Sequence, residues 1–131
     1  MRKTTYEEVI KSFHTTFQDK VEVPESLERE WFMKAVGKYS FEIASIEYDE
    51  ELGEFDIKLD RYVIDTLGWM MKVFYQEREL SKANKRVSIV SKEISIDGSG
   101  SSKSAAKSEL EHAQFELERL LYKQTATSYT E

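Results

Sequence analysis

Cysteine is absent from this chain, which excludes disulfides, thiolate metal sites and thiol nucleophiles. Proline occurs once, at Pro24, and none interrupts the 27 residues from Asp60 to Arg86. No apolar run approaches the roughly 18 residues that a membrane span needs, so no membrane contact is expected. The first ten residues, MRKTTYEEVI, lack the apolar core of a signal peptide, and an intracellular protein is expected. The two histidines, His14 and His112, fall on different predicted helices without any ligand spacing around them, whereas zinc needs three or four ligands. Gly98-Ser99-Gly100 has neither the Gly-Lys-Ser/Thr ending of a phosphate loop nor dinucleotide spacing, and no Gly-x-Ser-x-Gly elbow exists. The acidic run Asp49, Glu50, Glu51, Glu54, Asp56 misses the EF-hand pattern, because Gly53 stands at the wrong offset and no closing Glu follows. No cofactor or metal is expected, and no pair of carboxylates is singled out for acid–base work. By elimination the chain reads as a binding or assembly protein rather than an enzyme.

What is present is enough apolar surface for one folded domain. The 131 residues are 40% hydrophobic and 12% aromatic, which excludes general disorder. The organising stretch is Asp60–Arg86. Val63, Ile64, Leu67, Met70, Met71, Phe74 and Tyr75 recur with the helical period on one broad face. A second stripe, Tyr62, Trp69, Val73 and Leu80, lies on another side. A helix apolar on two sides must be covered on two sides. Ordinary core packing covers the first, and the second is open to the chain's own helices or to another subunit.

Helices are predicted over 4–18, 26–39, 54–86 and 104–123. Thr5-x-x-Glu8 has the capping-box pattern for the first. The second starts at Pro24 or Ser26, with Glu25, Glu28 and Glu30 at the positive end of its dipole. The third begins near Glu54, in preference to a hairpin of 41–47 with 54–59. The fourth carries Ala106, Leu110, Ala113, Leu117, Leu120 and Leu121 on a narrow stripe. A minor extended or β element is expected near 41–47 and 87–96, the latter from its β-branched residues. Residues 97–103 are expected to form a mobile loop, because Gly and Ser offer little to bury. The fold class is therefore mainly α: a small helical bundle with one long central helix. It forms a single domain over 1–124, with a flexible tail over 125–131.

The net charge of −6 is unevenly spread. Between Lys82 and Lys107 six basic residues stand against Glu93 and Asp97, a local +4 that leaves −10 for the rest. Overall acidity argues against tight binding to phosphate backbones. Segregated charge suits a contact between unlike faces of identical subunits.

Three blocks, PESLEREWFMKAV, EFDIKLDRYVIDTLGWMMKVFYQERELSKANK and the Gly/Ser run leading into KSELEHAQFELERLLYKQ, resemble small proteins of the head-to-neck region of tailed bacteriophages and prophages of Gram-positive bacteria. The resemblance covers most of the chain and carries no catalytic signature. It implies a head–tail connector, a neck or head-completion adaptor found in the virion and assembled in the host cytoplasm. Such proteins form homo-oligomeric rings, commonly twelve-fold, between the portal and tail-side neck proteins. DNA passes through without specific binding. The residues expected to carry contacts are Trp31, Phe32, Trp69, Val73, Ser99, Gly100, Ser101, Ser102, Phe115 and Tyr122. The alternative is a small acidic phage regulator that mimics DNA and occupies a basic groove of a host protein. That reading requires one contiguous acidic face bearing Glu47, Asp49, Glu50, Glu51, Glu54 and Asp56.

Overall fold

The computed structural model describes residues 2–18, 21–93 and 99–129. It is mainly helical with one small antiparallel hairpin. The elements run α1 (Tyr6–Thr15), α2 (Glu25–Glu42), β1 (Tyr48–Asp49), β2 (Glu54–Phe55), α3 (Arg61–Glu93) and α4 (Ser99–Tyr129).

Helix α1 is capped by Thr5, whose side chain accepts from the Glu8 amide. The reciprocal half of a capping box is missing, because the Glu8 carboxylate pairs with Arg2. Both ends are shorter than the apolar spacing suggested. At the start, Thr4 is drawn into extended pairing: the Phe55 amide donates to its carbonyl at 2.8 Å, and its own amide donates to Ile57. At the end, the Thr15 and Thr16 hydroxyls donate back to the Ser12 and Phe13 carbonyls at 2.6 and 2.7 Å, which competes with helix propagation. Helix α2 starts after Pro24 without a side-chain cap and runs through Gly37 to Glu42, so residues 41–42 are helical rather than extended.

The hairpin corrects the expectation that the long helix begins near Glu54. Asp49 accepts from the Glu51 and Leu52 amides at 2.9 and 3.2 Å, closing the turn locally. Gly53 sits at φ 67°, a left-handed position that suits glycine. Tyr48 then faces Phe55, and Asp49 faces Glu54. Helix α3 begins only after Asp60, whose carbonyl accepts from Val63 and Ile64.

Over 33 residues α3 extends for about 50 Å at 1.5 Å per residue. Its first stripe enters the core: Val63, Ile64, Leu67, Met70 and Met71 are all buried, against Val9 and Phe13 of α1 and Phe32 and Val36 of α2. Gly68 permits the close approach of α1, since a Cβ there would lie 2.8 Å from Ser12 Oγ and 3.1 Å from the Phe13 amide nitrogen. Ser12 Oγ in turn donates to Asp65 at 2.8 Å. The second stripe belongs to α4: Val73 is buried in the same core as Ala113 and Leu117, and Trp69 meets His112 edge-on at 5.9 Å. Tyr62 alone of that stripe is exposed. A second layer of ties joins α2, α3 and α4. The Tyr39 hydroxyl donates to Gln124 at 2.7 Å, and Gln124 donates to Thr66 Oγ1 at 3.0 Å.

Between Glu77 and Lys85 of α3, burial narrows to Glu79, Leu80 and Ala83, the pattern of a stretch covered on one side only. Residues 87–93 are helical, not extended. Helix propensities of β-branched residues differ from those of good formers by only about 0.5 kcal/mol each, which is too little to stop a helix already running from Arg61. Likewise the backbone of Ser99–Ser102 forms the first turn of α4, where a loop was expected, and residues 125–129 continue the helix where a tail was expected. The remainder of the expected 87–96 element, residues 94–96, and the loop residues 97–98 lie outside the described residues. Among the described residues no helix is long and apolar enough to cross a membrane.

Candidate interaction surface

Three of the residues expected to make contacts are core residues. Trp31 is buried against Phe13 and Tyr75, with ring centroids 6.4 and 6.1 Å away. Phe32 is fully buried among Tyr6, Tyr48 and Phe55 at 4.8, 4.7 and 5.9 Å. Val73 is buried beneath α4. Helix α2 is covered on two sides, by the hairpin and by α1 with α3, and this consumes both members of its aromatic pair. Trp69 is half-buried. Phe115 and Tyr122, seven residues apart on α4, remain 62% and 73% exposed. The structure therefore does not gather the ten expected residues into one patch.

It gathers the acidic run instead. Glu47, Asp49, Glu50, Glu51, Glu54 and Asp56 all line one concavity of about 590 Å³ on the hairpin, together with Lys3. Leu52 at the turn is 67% exposed, and Ile57 beyond β2 is 53% exposed. Among the described residues no group of three or more His, Cys, Asp or Glu side chains is placed to hold a metal. The carboxylates line an open surface rather than converging on a point.

A second concavity, of about 480 Å³, is basic, and nothing in the sequence pattern announced it. Arg2, Lys11, Lys58 and Arg61 line it against one carboxylate, Glu8, with Thr4 and the buried Leu59 and Ile64 on its wall. Those cations come from three separate places in the chain, Arg2, Lys11 and the Lys58–Arg61 segment. The N-terminal segment brings them to the hairpin: the Leu59 amide donates to the buried Thr4 hydroxyl at 2.7 Å, and residues 2–5 run alongside β2. Because that segment is extended, alternate side chains diverge. Arg2 and Thr4 line the basic concavity, and Lys3 lines the acidic one.

Two further clefts have structural explanations. Lys72 is buried between α1 and α4 with its ammonium 3.5 Å from the Phe17 ring centroid and 3.4 Å from the Thr16 carbonyl oxygen at the C-terminal end of α1. Burial pushes its pKa down, partly opposed by the Glu109 carboxylate. A cation at a helix C-terminus over an aromatic face is a tie between elements. The apolar cleft of about 490 Å³ between Tyr39, Ile43, Tyr62 and Leu120 lies where the end of α2 meets α3 and α4. Around the hairpin, burial raises the Tyr6 and Tyr48 phenols, and the Arg29 guanidinium partly offsets this. His14 Nε2 lies 2.6 Å from Glu28 Oε2 and joins α1 to α2.

No protein-family model, curated protein or solved structure matches this chain.

Proposed function

We propose that the chain is a structural adaptor of a tailed-phage neck, a head–tail connector that assembles as a ring between portal and tail and lets DNA pass. The observation that carries this reading is the separation of a compact head from a helical arm. The head contains α1, α2, the hairpin, the first half of α3 and the C-terminal half of α4, which Ala113, Leu117 and Gln124 tie to it. The arm is the rest of α3 and of α4, and it carries the basic stretch of the chain. An elongated body with unlike ends can contact a different neighbour at each end, as a ring component must. Exposed apolar side chains, Phe41, Leu52, Ile57, Phe115 and Tyr122 among them, are left on the head. The excess of negative charge suits a wall past which phosphate slides.

A second reading has its own observation. Six carboxylates around one concavity meet the requirement set out above for an acidic regulator that occupies a basic groove. Solution mass separates the two. The adaptor reading predicts a discrete high-order species by light scattering, or a ring by negative stain, with the purified protein alone or with portal rings added. Monomers that ignore portal rings and instead retain a nuclease or polymerase in a pull-down would replace it with the regulator reading.

A further inference from the structure

We infer that the acidic hairpin and the basic concavity are the two halves of a contact between copies of this chain, the hairpin of one copy seated in the Arg2/Lys11/Lys58/Arg61 concavity of the next. The inference rests on the adaptor reading for its setting and adds the surface by which copies would join. Two observations carry it, the charges of the two surfaces and their placement on either side of one segment.

The charges match in sign. Glu47, Asp49, Glu50, Glu51 and Asp56 are exposed, and so are all four cations of the other concavity. Arg2 and Arg61 have local partners in Glu8 and Asp65, whereas Lys11 and Lys58 have no ion pair among the described residues. Leu52 projects at the hairpin turn, 67% exposed, at the tip of the acidic surface. The two concavities lie on either side of the extended 2–5 segment, so one copy cannot close its hairpin onto its own cations without breaking the pairing of Thr4 with Phe55 and Ile57. A contact between two different patches is heterologous, and such contacts generate a ring when the rotation closes. A phosphate polymer is the other polyanion a basic concavity could take. A chain of net charge −6 repels one at long range, while the hairpin is a complement present on every copy at equal concentration.

Charge exchange tests the contact. One variant carries Glu47→Lys, Glu50→Lys and Glu51→Lys, which leaves the turn-closing Asp49 in place. The other carries Lys11→Glu and Lys58→Glu. Melting curves followed by circular dichroism establish that both fold. In sedimentation at low salt the wild-type chain is expected to self-associate, with weakening as salt is added. Each variant alone is expected to associate about tenfold or more weakly, since the altered hairpin is then neutral and the altered concavity has lost its positive excess. The two variants mixed are expected to pair again, because the unaltered hairpin of one meets the unaltered concavity of the other. Wild-type association that neither variant weakens would overturn this contact and leave the ring reading to another surface. A wild-type monomer at low salt would also overturn it, while recovery of that monomer on portal rings would keep the adaptor reading. Binding of a short DNA duplex that K11E/K58E abolishes, without self-association, would assign the concavity to phosphate and overturn the contact.

Discussion

Gly68→Ala separates two opposing effects that can each be sized. In the middle of an α-helix, alanine is favoured over glycine by about 0.8–1.0 kcal/mol, so propensity alone predicts stabilisation. The new methyl group would sit 2.8 Å from Ser12 Oγ, 3.1 Å from the Phe13 nitrogen and 3.2 Å from the Ser12 carbonyl carbon. Two of those neighbours are backbone and cannot swing aside. The third is held by its bond to Asp65. Overpacking a tight contact costs about 1–3 kcal/mol. The balance is a net loss of about 1 kcal/mol, with α1 pushed off α3. Gly37→Ala supplies the control, because nothing lies within 4 Å of its Cβ position in α2. There the propensity gain stands alone, and stabilisation of up to about 1 kcal/mol is expected. Urea unfolding, read by the fluorescence of Trp31 and Trp69, measures both. Should G68A prove as stabilising as G37A, α1 does not touch α3 at Gly68 and the packing described here is wrong.

Thr4→Val removes the acceptor of the buried Leu59 amide, and a loss of about 1–3 kcal/mol by urea unfolding is expected. Phe32→Ala should cost about 3–5 kcal/mol, whereas Phe115→Ser should stay within about 0.5 kcal/mol of wild type; equal losses would mean that α4 is turned differently. Lys72 has a pKa below its ordinary 10.5, so the unfolded chain binds more protons there than the folded one. The wild type should therefore gain stability relative to Lys72→Met as pH rises from the folded pKa towards 10.5, and a flat difference would place Lys72 in solvent. Tyr6, Tyr39, Tyr48 and Tyr75 have pKa values raised above 10.0, so their contribution is complete below that pH and is lost as pH rises through the folded values; alkaline unfolding followed by phenolate absorbance should show folding lost with phenol ionisation, and ionisation of all four at pH 10 in a folded chain would contradict their burial.

The helices were legible because their apolar residues repeat with a helical period that only a one-sided or two-sided cover satisfies. Val63 to Met71 on α3 and Ala113 to Leu117 on α4 are the clearest cases. The hairpin was not, since two residues per strand give no alternation to read. Its signal was local and lay in the turn, with Asp49 free to accept from two amides and Gly53 free to take a positive φ. Residues 87–93 misled through β-branched propensity, which is worth less than the cooperative propagation of a helix already formed. Trp31 and Phe32 misled because adjacent aromatics on a helix look two-sided, and a two-sided helix in a small chain is more simply buried than shared. The acidic concavity could be anticipated, as its six carboxylates fall within ten residues. The basic one could not. It exists only because Thr4 binds the Leu59 amide and carries Arg2 to the start of α3.

The adaptor reading meets its most direct test in phage particles carrying a tagged copy of this chain, imaged by electron microscopy with a gold label on the tag. Label confined to the junction of head and tail, at a copy number consistent with a ring, is the predicted result. Particles that are complete and infectious without any label, with the chain left in the soluble lysate, would contradict it.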